Sequence, residues 1–157
     1  MITHPLKFLV AACAALLLGP VVQTLSGTSD SSQGEFVAIL AHASCAPWDG
    51  PAVAIEFYTT PTRCGEAKIA RLNINLWRNL PLKAGQKFEL SRATTTGVAS
   101  LCARENQCEA AESGTVWIEE FEAGKSVSGR YEFSFQRAGR RAGKFRAKWC
   151  DLRMMCG

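Results

Sequence analysis

Arg130-Tyr131-Glu132-Phe133-Ser134-Phe135 and Lys144-Phe145-Arg146-Ala147-Lys148-Trp149 are the two stretches that decide the fold. In each, apolar side chains alternate with polar ones. Successive side chains of an extended strand point to opposite faces, so a period of two marks a strand with one buried and one wet face. Between them, residues 136–142 carry Gly139 and turn the chain back into a hairpin. The same period runs upstream. Leu72, Ile74 and Leu76 alternate with Arg71, Asn73 and Asn75, and residues 87–90 alternate again. Short apolar runs of strand length occupy 36–40, 52–58 and 98–101. In 114–121, Val116 and Ile118 fall on one parity and Trp117 and Phe121 on the other, the mark of a bulge or of burial on both faces. About eight short strands and no long helical period predict an all-β domain, a small antiparallel sandwich or barrel.

The chain of 157 residues has room for one such domain. Its start reads as an export signal: Lys7, an apolar run from Phe8 to Leu18, the breaker Gly19-Pro20, then small and polar residues. With Val21 and Val22 the run reaches about 15 residues, short of the roughly 20 that a membrane span requires. The expected organisation is a signal over 1–27 cut near Ser26 or Gly27, a flexible spacer over 28–33, and one domain over 34–157. An uncleaved anchor is the alternative. Cys13 follows Val10-Ala11-Ala12 as a lipidated cysteine would, but the apolar core continues past it, so it is expected to leave with the signal.

Six cysteines remain: Cys45, Cys64, Cys102, Cys108, Cys150 and Cys156. An even number in a small exported chain reads as a disulfide framework and places the protein in the periplasm or outside the cell. Many pairings are open. Proximity and the two matching five-residue gaps favour Cys45–Cys64, Cys102–Cys108 and Cys150–Cys156.

A resemblance follows from these residues. Gly129-x-Tyr131-x-Phe133-x-Phe135, then Gly143-x-Phe145-x-Ala147-x-Trp149-Cys150 and the final Cys156-Gly157, resemble uncharacterised bacterial exported proteins and lipoproteins, as does Cys45-x-Pro47-x-Asp49-x-Pro51-Ala52. The likeness spans about residues 45–157. It implies an exported β domain and no particular activity.

Catalytic chemistry finds few candidates. Past the signal the one histidine is His42, and a serine or cysteine nucleophile needs a base held by a third group. Ser44 and Asp49 lie near it in sequence, as ordinary loop composition supplies. Glu119 and Glu120 are adjacent on a strand and are expected to face opposite ways, which separates them as a carboxylate pair. No metal-ligand spacing or phosphate loop is present, so neither a metal nor a cofactor is expected.

Charge is the stronger signal. The formal net charge is +4. Residues 125–157 hold nine Lys or Arg against two acids, a net +7, while 104–122 hold one Arg against six Glu, a net −5. Either the acidic strand pairs with the basic one across the ladder, or the cations form a binding stripe. In the second case Lys144, Arg146 and Lys148 share the outer face of the last strand and join the Arg137, Arg140 and Arg141 turn, a surface suited to anionic lipid or polysaccharide. Trp48, in a loop stiffened by Pro47 and Pro51, either packs over a disulfide or marks a carbohydrate or protein contact. Trp77 continues the wet parity of Asn73 and Asn75. The expected function is a non-enzymatic envelope or secreted binding module acting through the basic hairpin. The alternative is a protein-interaction or inhibitor domain using the Trp48 loop, and a hydrolase is a distant third.

Overall fold

The computed structural model describes residues 35–91, 93, 96–152 and 154–156. The expected signal, the spacer and Cys13 lie outside these. Among the described residues no helix forms, and nine strands run in chain order: β1 Ala38–Cys45, β2 Pro51–Tyr58, β3 Leu72–Leu76, β4 Lys87–Ser91, β5 Gly97–Arg104, β6 Gln107–Ala110, β7 Ser113–Glu122, β8 Ser126–Phe135 and β9 Gly139–Cys150. All nine join one hydrogen-bonded sheet in the order β4-β7-β8-β9-β1-β2-β3-β5-β6. The all-β expectation holds; the strands form one sheet that does not close. Every pairing is antiparallel except β1 with β9, where Leu40, Ala41 and His42 run beside Lys148, Trp149 and Cys150.

Alternation sets which face is buried. Ile55 and Phe57 of β2, Ile74 and Leu76 of β3, Phe88 of β4, Val116 and Ile118 of β7, Tyr131 and Phe133 of β8 and Phe145 of β9 all enter one core. The sheet must coil to bring them together. Phe57 and Tyr131 stand three strands apart, roughly 14 Å in a flat sheet, yet their ring centroids lie 5.4 Å apart, and Phe57 meets Phe145 at 5.8 Å. The Thr96 hydroxyl, just before β5, donates to the Glu89 carbonyl of β4, so the edge strand β4 approaches β5, second from the other edge, without forming a ladder.

The outer face carries a second, small cluster of Leu40, Tyr58, Ala70 and Cys150 with Leu152 against it. The chain from 59 to 71 crosses this face and is stapled there. The disulfides are Cys45–Cys156, Cys64–Cys150 and Cys102–Cys108. This corrects two of the three expected pairings. Only Cys102–Cys108 joins sequence neighbours, across the β5–β6 pair where the two residues are in register. The others follow from the parallel β1–β9 contact: it seats Cys150 beside His42 and carries the tail along β1, so that Cys156 reaches Cys45.

The two-parity pattern in β7 is a β-bulge. Ile118 pairs with Gly129 and Glu120 with Ser128, leaving Glu119 as the extra residue. Phe121 thereby turns back toward the core, where it packs with Trp149.

Candidate functional site

The β1–β2 hairpin is closed by residues 46–50. Ala46 donates its N–H to the Gly50 carbonyl (2.8 Å), Asp49 donates to the Ala46 carbonyl (3.0 Å), and Asp49 adopts a left-handed φ of 61°. The tip holds Trp48 with its indole folded over Gly50. A Cβ at position 50 would lie 2.7 Å from the indole Nε1, so glycine makes room for the ring. Trp48 is 52% exposed. Its ring stands edge-on to Trp77, with centroids 5.6 Å apart and planes at 83°. Edge-to-face packing is a favoured aromatic geometry, and the Cys45–Cys156 bridge pins the base of this hairpin. The two tryptophans singled out by composition and parity therefore meet, and the aromatic partner of Trp48 is Trp77.

Below Trp77 the outer face of β3 continues through Asn75 and Asn73. The Asn75 amide donates to Asn73 Oδ1 at 2.7 Å. Asn75 is opposite Ala54 of β2, and Asn73 is opposite Glu56. On the same face, Tyr58 donates to Glu56 Oε2 (2.6 Å), and His42 Nε2 lies 3.3 Å from the same oxygen. His42 Nδ1 lies 2.8 Å from the Ala43 carbonyl oxygen. Both ring nitrogens thus face oxygen acceptors, an arrangement satisfied by the imidazolium. The Glu56 contact is the main cause that raises the His42 pKa, against the opposing effect of burial. For Glu56, burial pushes upward, but the His42 and Tyr58 hydrogen bonds prevail and lower its pKa. The phenol of Tyr58 is pushed up by burial and by Glu56. With its nitrogens so engaged, His42 has no contact with Ser44 or Asp49 that would make it the base of a nucleophile. Among the described residues no three His, Cys, Asp or Glu side chains gather as a metal site.

The basic hairpin is distributed differently from a single stripe. Arg140 pairs with Glu132 at 2.8 Å, Arg146 with Glu120 at 2.8 Å and Arg137 with Glu109 at 3.8 Å. Arg130 lies 3.7 Å from the centroid of the Trp117 ring and 3.6 Å from Glu119. The β7–β8–β9 register causes this, since Glu120, Ser128 and Arg146 stand in one cross-strand row. Because Glu119 is bulged, both Glu119 and Glu120 reach cations of the outer face; the expectation that they point apart is overturned by the bulge. Arg141, opposite Phe133, has the parity of the core-facing residues and so leaves the line of Lys144, Arg146 and Lys148. Among the described residues, Arg141, Lys144 and Lys148 have no acidic partner. Lys144 and Arg146 also border a groove of about 380 Å³ whose apolar wall is Phe36, Ile39 and Phe145, with Glu119 at its rim.

The outer-face grouping of Trp77, Asn75, Asn73, Glu56 and His42 was readable only in part from sequence. Parity marks Asn73, Asn75 and Trp77 as one face, while the link to His42 and Glu56 requires the hairpin register centred on residues 46–50. Comparison with protein-family models, with curated proteins and with solved structures gives no match to this chain.

Proposed function

We propose that the chain is an exported, non-enzymatic binding module whose contact surface is the outer sheet face around Trp48 and Trp77. The observation that carries this reading is a tryptophan half in solvent yet held in one orientation, by Trp77 on its side and a disulfide at the base of its loop. Rigid, exposed aromatics contribute contact area at small entropic cost, and tryptophan is enriched among residues that dominate binding energy. Export is supported by the signal-like start and by three disulfides, which suit an oxidising compartment. Co-sedimentation of the secreted chain with cell-envelope fragments tests the reading: Trp48→Ala weakens retention on the order of tenfold, about 1.4 kcal/mol, and leaves the unfolding midpoint in place. Equal retention of both proteins would reject it. N-terminal sequencing of the secreted chain is expected to begin just after Ser26 or Gly27.

A second reading rests on a separate observation, Lys144 without an acidic partner among the described residues at the apolar-walled groove, with Lys148 further along the same face of β9. It assigns that edge to an anionic lipid or polysaccharide. Exposed ion pairs such as Arg146–Glu120 contribute about 0–1 kcal/mol, so an anionic surface can compete for those arginines. Replacing Lys144, Arg146 and Lys148 with Gln would then abolish salt-sensitive retention on anionic liposomes. Salt-insensitive retention that depends on Trp48 speaks for the first reading instead.

A further inference from the structure

We infer that the Trp48–Trp77 corner and the Asn73–Asn75 pair together form a binding strip for a neutral polysaccharide chain. The inference rests on Trp48 being the contact residue and adds the class of ligand. Four features carry it.

The first is length and line. Asn73, Asn75 and Trp77 occupy alternate positions on one face of the chain, so the strip from Asn73 to Trp77 runs about 13 Å, with Trp48 extending it past the end of β3. An extended polymer fits a line of this kind better than a compact ligand does.

The second is the chemistry of the two asparagines. One amide hydrogen of Asn75 is used on Asn73 Oδ1. The Asn73 amide nitrogen and Asn75 Oδ1 have no side-chain or backbone partner among the described residues, although both side chains are partly buried. Each amide offers donors and an acceptor at fixed positions, which matches hydroxyl groups that both donate and accept.

The third is the neutrality of the strip. Its four residues carry no charge, and the nearest acid on the face, Glu56, is engaged by His42 and Tyr58. The one cation that continues this parity, Arg71, is engaged by Glu35 and by the Cys102 carbonyl. Lys144 and Lys148 lie on β9, three strands away, so a charged polymer finds no free charge in the strip.

The fourth is preorganisation. An indole presents an apolar ring face to the C–H surface of a pyranose and a single N–H at its edge. Here the ring orientation is set before binding by Trp77 and Gly50, so little freedom is lost on contact. Beside the strip, the short Ala52 and Ala54 of β2 leave Trp77 and Asn75 as the taller side chains.

The test uses the secreted chain with three probes: insoluble β-glucan, insoluble chitin, and an envelope-protein fraction freed of glycan. Wild type is expected to be retained on at least one neutral polymer at about 0.5 M salt, where surface charge attraction is screened within a few Å. Trp48→Ala should weaken retention on the order of tenfold, and Asn73→Ala/Asn75→Ala by several-fold. Intact disulfides by mass and unchanged circular dichroism show that the variants fold; a milder Asn75→Asp replaces the double variant if that one does not. No wild-type retention on either polymer, or retention equal in Trp48→Ala, overturns the inference. Trp48-dependent retention confined to the protein fraction also overturns it but leaves the binding surface assigned to Trp48. Equal behaviour of wild type and Trp48→Ala on all three probes removes both.

Discussion

Replacing Cys45 and Cys156 together with serine tests both the framework and the role given to the β1–β2 hairpin. The bridge spans 111 residues of sequence, and the nested Cys64–Cys150 bridge already spans 86 of them. In the unfolded chain with Cys64–Cys150 intact, the extra loop therefore holds roughly 25 residues. On the chain-entropy account, closing a loop of that size is worth about 3.5 kcal/mol, against about 2 kcal/mol for the six-residue separation of Cys102–Cys108. A small domain has about 5–15 kcal/mol in all, so the first loss is a large share. Urea unfolding without reductant, compared with Cys102→Ser/Cys108→Ser, gives the two differences directly. Loss of the Cys45–Cys156 bridge is expected to cost more and also to weaken Trp48-dependent binding, because it releases the base of the hairpin. A cost below about 1 kcal/mol, or a larger cost for the Cys102–Cys108 variant, would refute the argument.

Other consequences concern the core and the outer-face polar group. Phe57→Leu and Tyr131→Leu, taken singly and together in equilibrium unfolding, should show a coupling of about 0.5–1.5 kcal/mol, since their rings touch at 5.4 Å; strict additivity would contradict the coiling of the sheet. The His42–Glu56 pair makes stability depend on pH with a definite sign. A raised histidine pKa contributes stability below its ordinary 6.5, which is lost as pH rises through the folded value. A lowered glutamate pKa contributes above its ordinary 4.5, which is lost as pH falls through the folded value. His42→Gln is therefore expected to lower the unfolding midpoint most between those two values and progressively less toward alkaline pH. An undiminished gap at alkaline pH would show that the ionic contact is not the cause.

What could be read in advance was decided by contrast between faces. In residues 130–135 of β8 and 144–149 of β9 every second residue is aromatic or alanine and the others are polar, so strand, register parity and turn follow from the residues. The contrast fails in β1, where Ala41, Ala43 and Ser44 are small and say little about faces; the strand runs over Ala38–Cys45 rather than the expected 36–40. It fails in β6, where Gln107, Cys108 and Ala110 are exposed, Glu109 alone is partly covered, and the Cys102–Cys108 hairpin holds the strand. Long-range pairings were hidden for another reason. The contact of the first strand with the last is parallel and crosses the whole chain, and spacing between cysteines carries no record of it. The site was half legible on the same grounds. The shared parity of Asn73, Asn75 and Trp77 is local, but the approach of Trp48 and the meeting of His42 with Glu56 depend on hairpin register. The basic stripe was legible as composition only, since the bulge at Glu119 and the β7–β8–β9 register decide which arginines meet a glutamate.

The most direct test of Trp48 as the contact surface places a photo-crosslinking residue on each candidate face. Trp48→p-benzoylphenylalanine keeps an aromatic ring at the hairpin tip, and Lys148→p-benzoylphenylalanine puts the same group on the cationic face of β9. Irradiation of producing cells, followed by mass analysis of the secreted chain, is predicted to give a covalent adduct from position 48 and none from position 148. An adduct from position 148 alone would contradict the assignment and move the binding surface to the basic hairpin.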